Sequence, residues 1–140
     1  MQIVSGAPER KWLSDYSPSA WQIPTADLKF ELDEQRTLVH ARLELVRTPG
    51  RNEPLRLDGE DLELVSFKVD GKEQEIPEDA ANGLTVPAAG DTVIVETTVA
   101  LNPARNTRLM GLYTSGEHLC TQCEAEGFRR ITYFIDRPDI

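Results

Sequence analysis

The strongest constraint in this chain is an apolar–polar alternation with a period of two residues, which occurs cleanly twice. From Thr37 to Arg47, Val39, Ala41, Leu43 and Leu45 occupy one parity, and His40, Arg42 and Glu44 the other. From Thr92 to Leu101 the same holds for Val93, Val95, Thr97, Val99 and Leu101. A period of two puts each set on one face of a β-strand, not on a helix stripe. Each buried Leu is worth about 1.5–3 kcal/mol. A one-residue slip would turn the whole set to solvent, so strand register is strongly specified.

Shorter signals extend the pattern. Leu28, Phe30 and Leu32 alternate with charges from Asp27 to Asp33, and Glu34-Gln35-Arg36 is short enough to be a hairpin connection. Thr48 to Pro54 reads as a loop and Leu55-Arg56-Leu57 as a short strand. In Leu62 to Val69 the apolar parity slips, which a β-bulge or a strand covered on both faces would explain. Asp70-Gly71 then signals a tight hairpin turn with positive φ at both positions. Glu73 to Asn82 reads as loop, and Leu84 to Val86 as a brief strand. Leu109 to Thr114 and Phe128 to Phe134 are further strand candidates flanking a cysteine-bearing loop. Seven or eight short strands with no convincing amphipathic helix predict an all-β fold, an antiparallel β-sandwich. Residues 1–24, with Pro8, Pro18 and Pro24, read as an extended arm anchored by Trp12, Leu13, Tyr16 and Trp21. Residues 25–140 then make the sandwich domain.

A length of 140 residues suits one domain with a real core. The net charge of −9 and scattered basic residues argue against a nucleic-acid partner. No stretch reaches the roughly 18 apolar residues of a membrane span. Met1 to Arg10 lacks the apolar run of a secretory signal, so a cytoplasmic protein is expected, with no membrane partner.

Catalytic motifs are missing. Neither His40 nor His118 begins an H-E-x-x-H pair, and no G-x-S-x-G, G-x-G-x-x-G or phosphate-binding loop occurs. Cys120 and Cys123 form a single C-x-x-C, too few ligands for a closed zinc site. A redox pair would require a helix starting at the motif, and Gly127 follows too soon. Two structural loop thiols are the better reading, with His118, Cys120 and Cys123 as an open alternative for a small metal site. The loop from Leu119 to Arg129 is unusual in composition: two thiols, an amide at Gln122 and carboxylates at Glu124 and Glu126. If extended, it would point the two carboxylates opposite ways, one toward a ligand and one toward structure. A solvated acidic turn is the competing interpretation.

The run Leu119-Cys120-Thr121-Gln122-Cys123-Glu124-Ala125-Glu126-Gly127-Phe128-Arg129, with Gly111-Leu112-Tyr113, Ile131-Thr132-Tyr133 and Asp136-Arg137-Pro138-Asp139, resembles the bacterial aminopeptidase N family. Asp15-Tyr16, the strand from Asp27 to Asp33, and Leu55 to Leu62 resemble it in the same order. The likeness runs from about residue 12 to the C-terminus. It implies a saddle-like β-sandwich beside a thermolysin-like catalytic domain in a zinc aminopeptidase. By the same likeness Glu124 helps hold the substrate's α-ammonium group, and Gln122 lines the pocket for its first side chain. The family's H-E-x-x-H helix, distant glutamate ligand, glycine-rich motif and transition-state tyrosine are absent. The expectation is therefore the N-terminal part of a larger enzyme, truncated on its C-terminal side and inactive alone. Its cofactor would be none in this chain and zinc in the parent. Its partners would be a peptide N-terminus and the missing catalytic domain, and open sheet edges would invite self-association. The alternative is a standalone β-sandwich binding or scaffold module.

Overall fold

A computed structural model of the chain describes residues 17–88, 90–107, 110–124, 127–137 and 140. Among them are nine strands: β1 (Trp21–Glu31), β2 (Thr37–Arg47), β3 (Leu55–Leu57), β4 (Glu63–Val69), β5 (Lys72–Glu73), β6 (Leu84–Val86), β7 (Thr92–Leu101), β8 (Gly111–Ser115) and β9 (His118–Gln122). They form an antiparallel five-stranded sheet in the order β1-β2-β7-β4-β5 and two separate two-stranded pairs, the non-local β3–β6 and the hairpin β8–β9. The all-β, antiparallel sandwich expected from the alternation is the architecture observed.

The two clean alternating segments lie side by side. β2 and β7 pair from Thr37↔Leu101 to Val46↔Thr92 without a register break. Val39, Ala41, Leu43 and Leu45 and, on β7, Val93, Val95 and Val99 are all buried. Leu64, Phe67 and Val69 on β4 continue this inner face. The parity slip in β4 is a bulge: its register to β7 shifts between Leu64 and Ser66, and the extra residue, Val65, is turned out to solvent. Asp70 and Gly71 both take positive φ (51° and 82°), the turn geometry that the Asp-Gly pair predicts.

The second layer is assembled from distant pieces. Leu55 and Leu57 on β3, Leu84 and Val86 on β6, and Leu112, Ile131, Tyr133 and Ile135 near the C-terminus all join the same core. Asp58 and Phe134 close the layer through a single antiparallel bridge, with N–H···O distances of 2.7 and 3.2 Å. Across the opposite, solvated face of the sheet runs a row of alternating charge. Register places Asp27, Arg42, Glu96, Lys68 and Glu73 side by side on β1, β2, β7, β4 and β5. Opposite charges on directly facing positions favour this register over neighbouring ones.

Four sequence expectations change. The arm predicted over residues 1–24 gives way at Trp21, where β1 begins. Pro24 sits at the break between Gln22 and Thr25 in the β1–β2 register, on the sheet's edge strand, where a missing N–H costs little. Trp21 is buried, donates its indole N–H to the Glu53 carbonyl (3.1 Å) and carries the Arg47 guanidinium 4.4 Å above its ring. Trp12, Leu13, Tyr16, Leu109 and Glu126 lie outside the described residues. Second, Leu28 and Phe30 share the face of Ala41 and Val39 by register, yet are 36% and 38% exposed. The second layer covers the start of β1 at Trp21 but does not extend over Leu28 and Phe30. Third, His118 to Gln122 is a strand, paired with β8, although only Leu119 marks an inward position. Fourth, Phe128 to Phe134 is not a strand: Phe128–Arg130 is a 3-10 turn and only Phe134 makes a ladder contact.

Tyr133 ties the layers together. It is fully buried, and its hydroxyl donates to the Ala80 carbonyl. Burial first, and then the charge of Asp79, push its ionisation up to about 12 from the ordinary 10.0. The unfolded chain therefore releases this proton first as pH rises, so the contribution is complete below pH 10.0 and lost toward about 12. Tyr133→Phe is expected to cost about 1–2 kcal/mol at neutral pH through the lost hydrogen bond. It should also flatten the decline in stability over that alkaline window, which urea unfolding at stepped pH will measure.

Candidate functional site

The segment of unusual composition begins on a braced hairpin. β8 and β9 pair from Gly111↔Gln122 to Ser115↔His118. Asn106 holds the base of β8, its side-chain amide donating to the carbonyls of Met110 (2.6 Å) and Leu112 (2.9 Å). Leu112 is buried, so the hairpin is rooted in the core.

Where β9 ends, the chain closes on itself. The Gln122 side-chain oxygen accepts the backbone N–H of Glu124 at 3.0 Å, and the Cys123 carbonyl accepts that of Gly127 at 2.9 Å. Cys123 is half-buried against the core, Gly127 is buried, and Glu124 between them is exposed. Glu124 thus stands on a turn, the competing interpretation of this segment, and its geometry relative to Glu126 lies outside the described residues. Gly127 is favoured by space: a Cβ there would lie 2.5 Å from the Met110 sulfur, which would have to move, and 3.0 Å from the Cys123 Cα.

Beyond the turn, two arginines bolt the segment to the end of β3. The Arg129 backbone N–H and Nε both donate to Asp136 Oδ2 at 3.1 Å. Asp136 in turn donates its own backbone N–H to Asp58 Oδ2 at 3.0 Å. Arg130 Nη1 reaches both Glu60 and Asp61 at 3.0 Å, and the Glu60 N–H donates to the Arg129 carbonyl at 3.0 Å. Asp61 adopts a left-handed backbone (φ 55°), which an aspartate tolerates better than most residues. Phe128 and Phe134 pack edge to face, centroids 5.0 Å apart. Sequence reasoning assigned no role to Asp58, Glu60, Asp61 or Asp136. The usable signal was charge complementarity between the acidic run at 58–61 and the Arg129-Arg130 pair.

The cysteines have no activating surroundings. Cys120 lies on β9 opposite Tyr113, no helix starts at the motif among the described residues, and both are free thiols. Burial, and then the negative charge of Asp136, push the Cys123 thiol upward, the opposite of a reactive thiolate. Among the described residues no group of three or more His, Cys, Asp or Glu could hold a metal ion, so His118, Cys120 and Cys123 are not brought together as ligands. His40 is occupied on the outer face, between Thr98 (3.0 Å) and Glu31. No helix among the described residues is long and apolar enough to cross a membrane. What the site offers is an exposed carboxylate on a turn fixed at both ends, able to accept hydrogen bonds from a cation.

No family model matches the chain. Whole-sequence similarity is nevertheless extensive: it is 49% identical over 135 residues to aminopeptidase N of Caulobacter vibrioides, covering 95% of this chain and 16% of that protein. By sequence, the chain matches the N-terminal region of aminopeptidase N. Aminopeptidase N of Escherichia coli is 43% identical over 133 residues, again 95% of this chain and 15% of the relative. Among solved structures, Legionella pneumophila aminopeptidase A in complex with aspartic acid superposes with a TM-score of 0.79 at 30% identity, over 92% of this chain and 16% of that one. The chain thus spans about a sixth of the length of the aminopeptidases it matches, and its segment from Leu119 to Arg129 falls in that homologous region.

Gly127 gives the site its sharpest structural test. Gly127→Ala is expected to cost about 1–3 kcal/mol, as overpacking does in a filled interior. It should also free the Gly127–Cys123 hydrogen bond, seen as faster exchange of the residue-127 amide. A fully stable variant with an unchanged amide would contradict the close approach.

Proposed function

We propose that this chain is the N-terminal portion of a zinc-dependent aminopeptidase and contributes contacts to the substrate's free amino terminus. The observation that carries the reading is Glu124: an exposed carboxylate on a turn pinned at both ends, within a segment homologous to aminopeptidases. An exopeptidase must distinguish a terminal ammonium from an internal amide, and a carboxylate does so by accepting charge-assisted hydrogen bonds, each worth about 1.5–3 kcal/mol. Holding the ammonium also sets register, so that only the first peptide bond reaches the reacting centre. Gln122, exposed at the end of β9 beside this carboxylate, lines the pocket for the first side chain in the same proposal. One structural relative was solved with an amino acid, aspartic acid, bound.

The described residues do not fit a zinc centre, because no sufficient group of ligands is present among them. Their part is confined to binding and orienting the amino terminus. The remaining catalytic apparatus belongs to a further domain, which is the partner proposed here together with the peptide. The open row of Leu28 and Phe30 on edge strand β1 and Leu32 just beyond its end, 36–61% exposed, supports coverage by another protein surface, and self-association through it is the competing use. A reducing, cytoplasmic setting suits two cysteines kept as thiols.

In the product of the complete reading frame, Glu124→Ala should lower kcat/KM for an unblocked aminoacyl substrate by at least tenfold, or roughly 1.4 kcal/mol. An unchanged kcat/KM would remove Glu124 from substrate binding. Absence of aminopeptidase activity in the natural product would instead favour a standalone sandwich.

A further inference from the structure

We infer that Gln122 is a positioning residue that acts through Glu124, an inference that rests on the proposed role of that carboxylate. Two hydrogen bonds define the turn. One spans Cys123 and Gly127 through the backbone; the other comes from the Gln122 side chain, whose amide oxygen takes the Glu124 N–H at 3.0 Å. The first bond holds the carbonyl end of the planar peptide that joins Cys123 to Glu124. The second holds the N–H end of that same plane, so the peptide leading into the carboxylate residue is clamped from both sides.

Geometry explains why a long amide is suited to this task. Gln122 is the last residue of β9 and pairs with Gly111, so its backbone is held by the hairpin while its side chain reaches forward over two residues. An amide oxygen is a good acceptor at that distance and carries no charge of its own. A carboxylate there would stand beside Glu124 as a second negative group. An apolar side chain of the same length would fill the space without fixing the N–H. Ordering Glu124 before binding spares that cost when the ammonium arrives. The side-chain oxygen is thus committed to the turn, and its NH2 group is what remains for a ligand.

The test is a double-variant cycle in the product of the complete reading frame, assayed as kcat/KM on an unblocked aminoacyl substrate. Gln122→Met keeps length and removes the acceptor; it should lose severalfold. Combined with Glu124→Ala it should lose clearly less than the product of the two single losses, since the part of its effect that acts through Glu124 is already gone. Gln122→Glu restores an acceptor, and in the 140-residue chain it should keep the slow exchange of the Glu124 amide that Gln122→Met accelerates. Multiplicative losses in the cycle, or a Glu124 amide indifferent to Gln122→Met, would overturn the inference. A full-strength Glu124→Ala variant would instead reject the reading on which it rests, while the amide exchange would still decide whether Gln122 braces the turn.

Discussion

Strand β7 is the element on which the rest of the structure depends. It pairs along its length with β2 on one side and with β4 on the other, and Val93, Val95 and Val99 are each at most 1% exposed. A slip of one residue by β7 would present these valines to water and turn Glu96 into the core. Burying even one unpaired charge costs far more than the pairing could return. Register is therefore decided twice over, by apolar burial on the inner face and by alternating charge on the outer one.

This fixed sheet sets the terms for everything packed upon it. Its second layer is too small to cover it: β3 and β6 are three residues each, and the remainder of the cover comes from Leu112, Ile131, Tyr133 and Ile135. The segment from Gln122 to Arg130 is thereby caught between two buried anchors, the β8–β9 hairpin before it and the strip from Ile131 to Ile135 after it. The shortage of cover falls instead on β1, where Leu28 and Phe30 remain open although they face the same way as Val39 and Ala41. Burial here follows from layer size as much as from residue type.

That distinction separates what was legible in the sequence from what was not. β2, β7, the bulge in β4 and the Asp-Gly turn were readable because each rests on local chemistry: parity, one extra residue, or two positive φ values. Exposure of Leu28 and Phe30 was not readable, because alternation reports which face a residue occupies, not whether anything lies over that face. β9 was hidden since its burial pattern is shallow, with Leu119 and Cys120 only half-buried and no apolar alternation to mark it. Phe128 to Phe134 misled for the converse reason. Its apolar residues are spaced like a strand, but Phe128 and Phe134 stack on each other while Arg129 and Arg130 turn toward Asp136, Glu60 and Asp61. At the site, Gln122 and Glu124 were singled out through resemblance, and composition alone favoured a solvated turn. The hydrogen bond between them could not be inferred from spacing, since an extended segment would have separated them.

The two cysteines make most sense as part of this anchoring. A thiol behaves as a small apolar group when buried, and Cys123 packs on the core while its carbonyl closes the turn to Gly127. A charged or long side chain at 123 would have to leave that position, pulling the carbonyl with it and opening the turn beneath Glu124. An exposed carboxylate on a loose loop would lose much of its binding energy to ordering when it met a ligand. On this chain the backbone entering Glu124 is already held, by the bond from the buried Gly127 to the Cys123 carbonyl and by Gln122 at the surface. The exposed group that carries chemistry is thus held by neighbours that carry none, which is why its position survives on a segment with almost no regular secondary structure of its own.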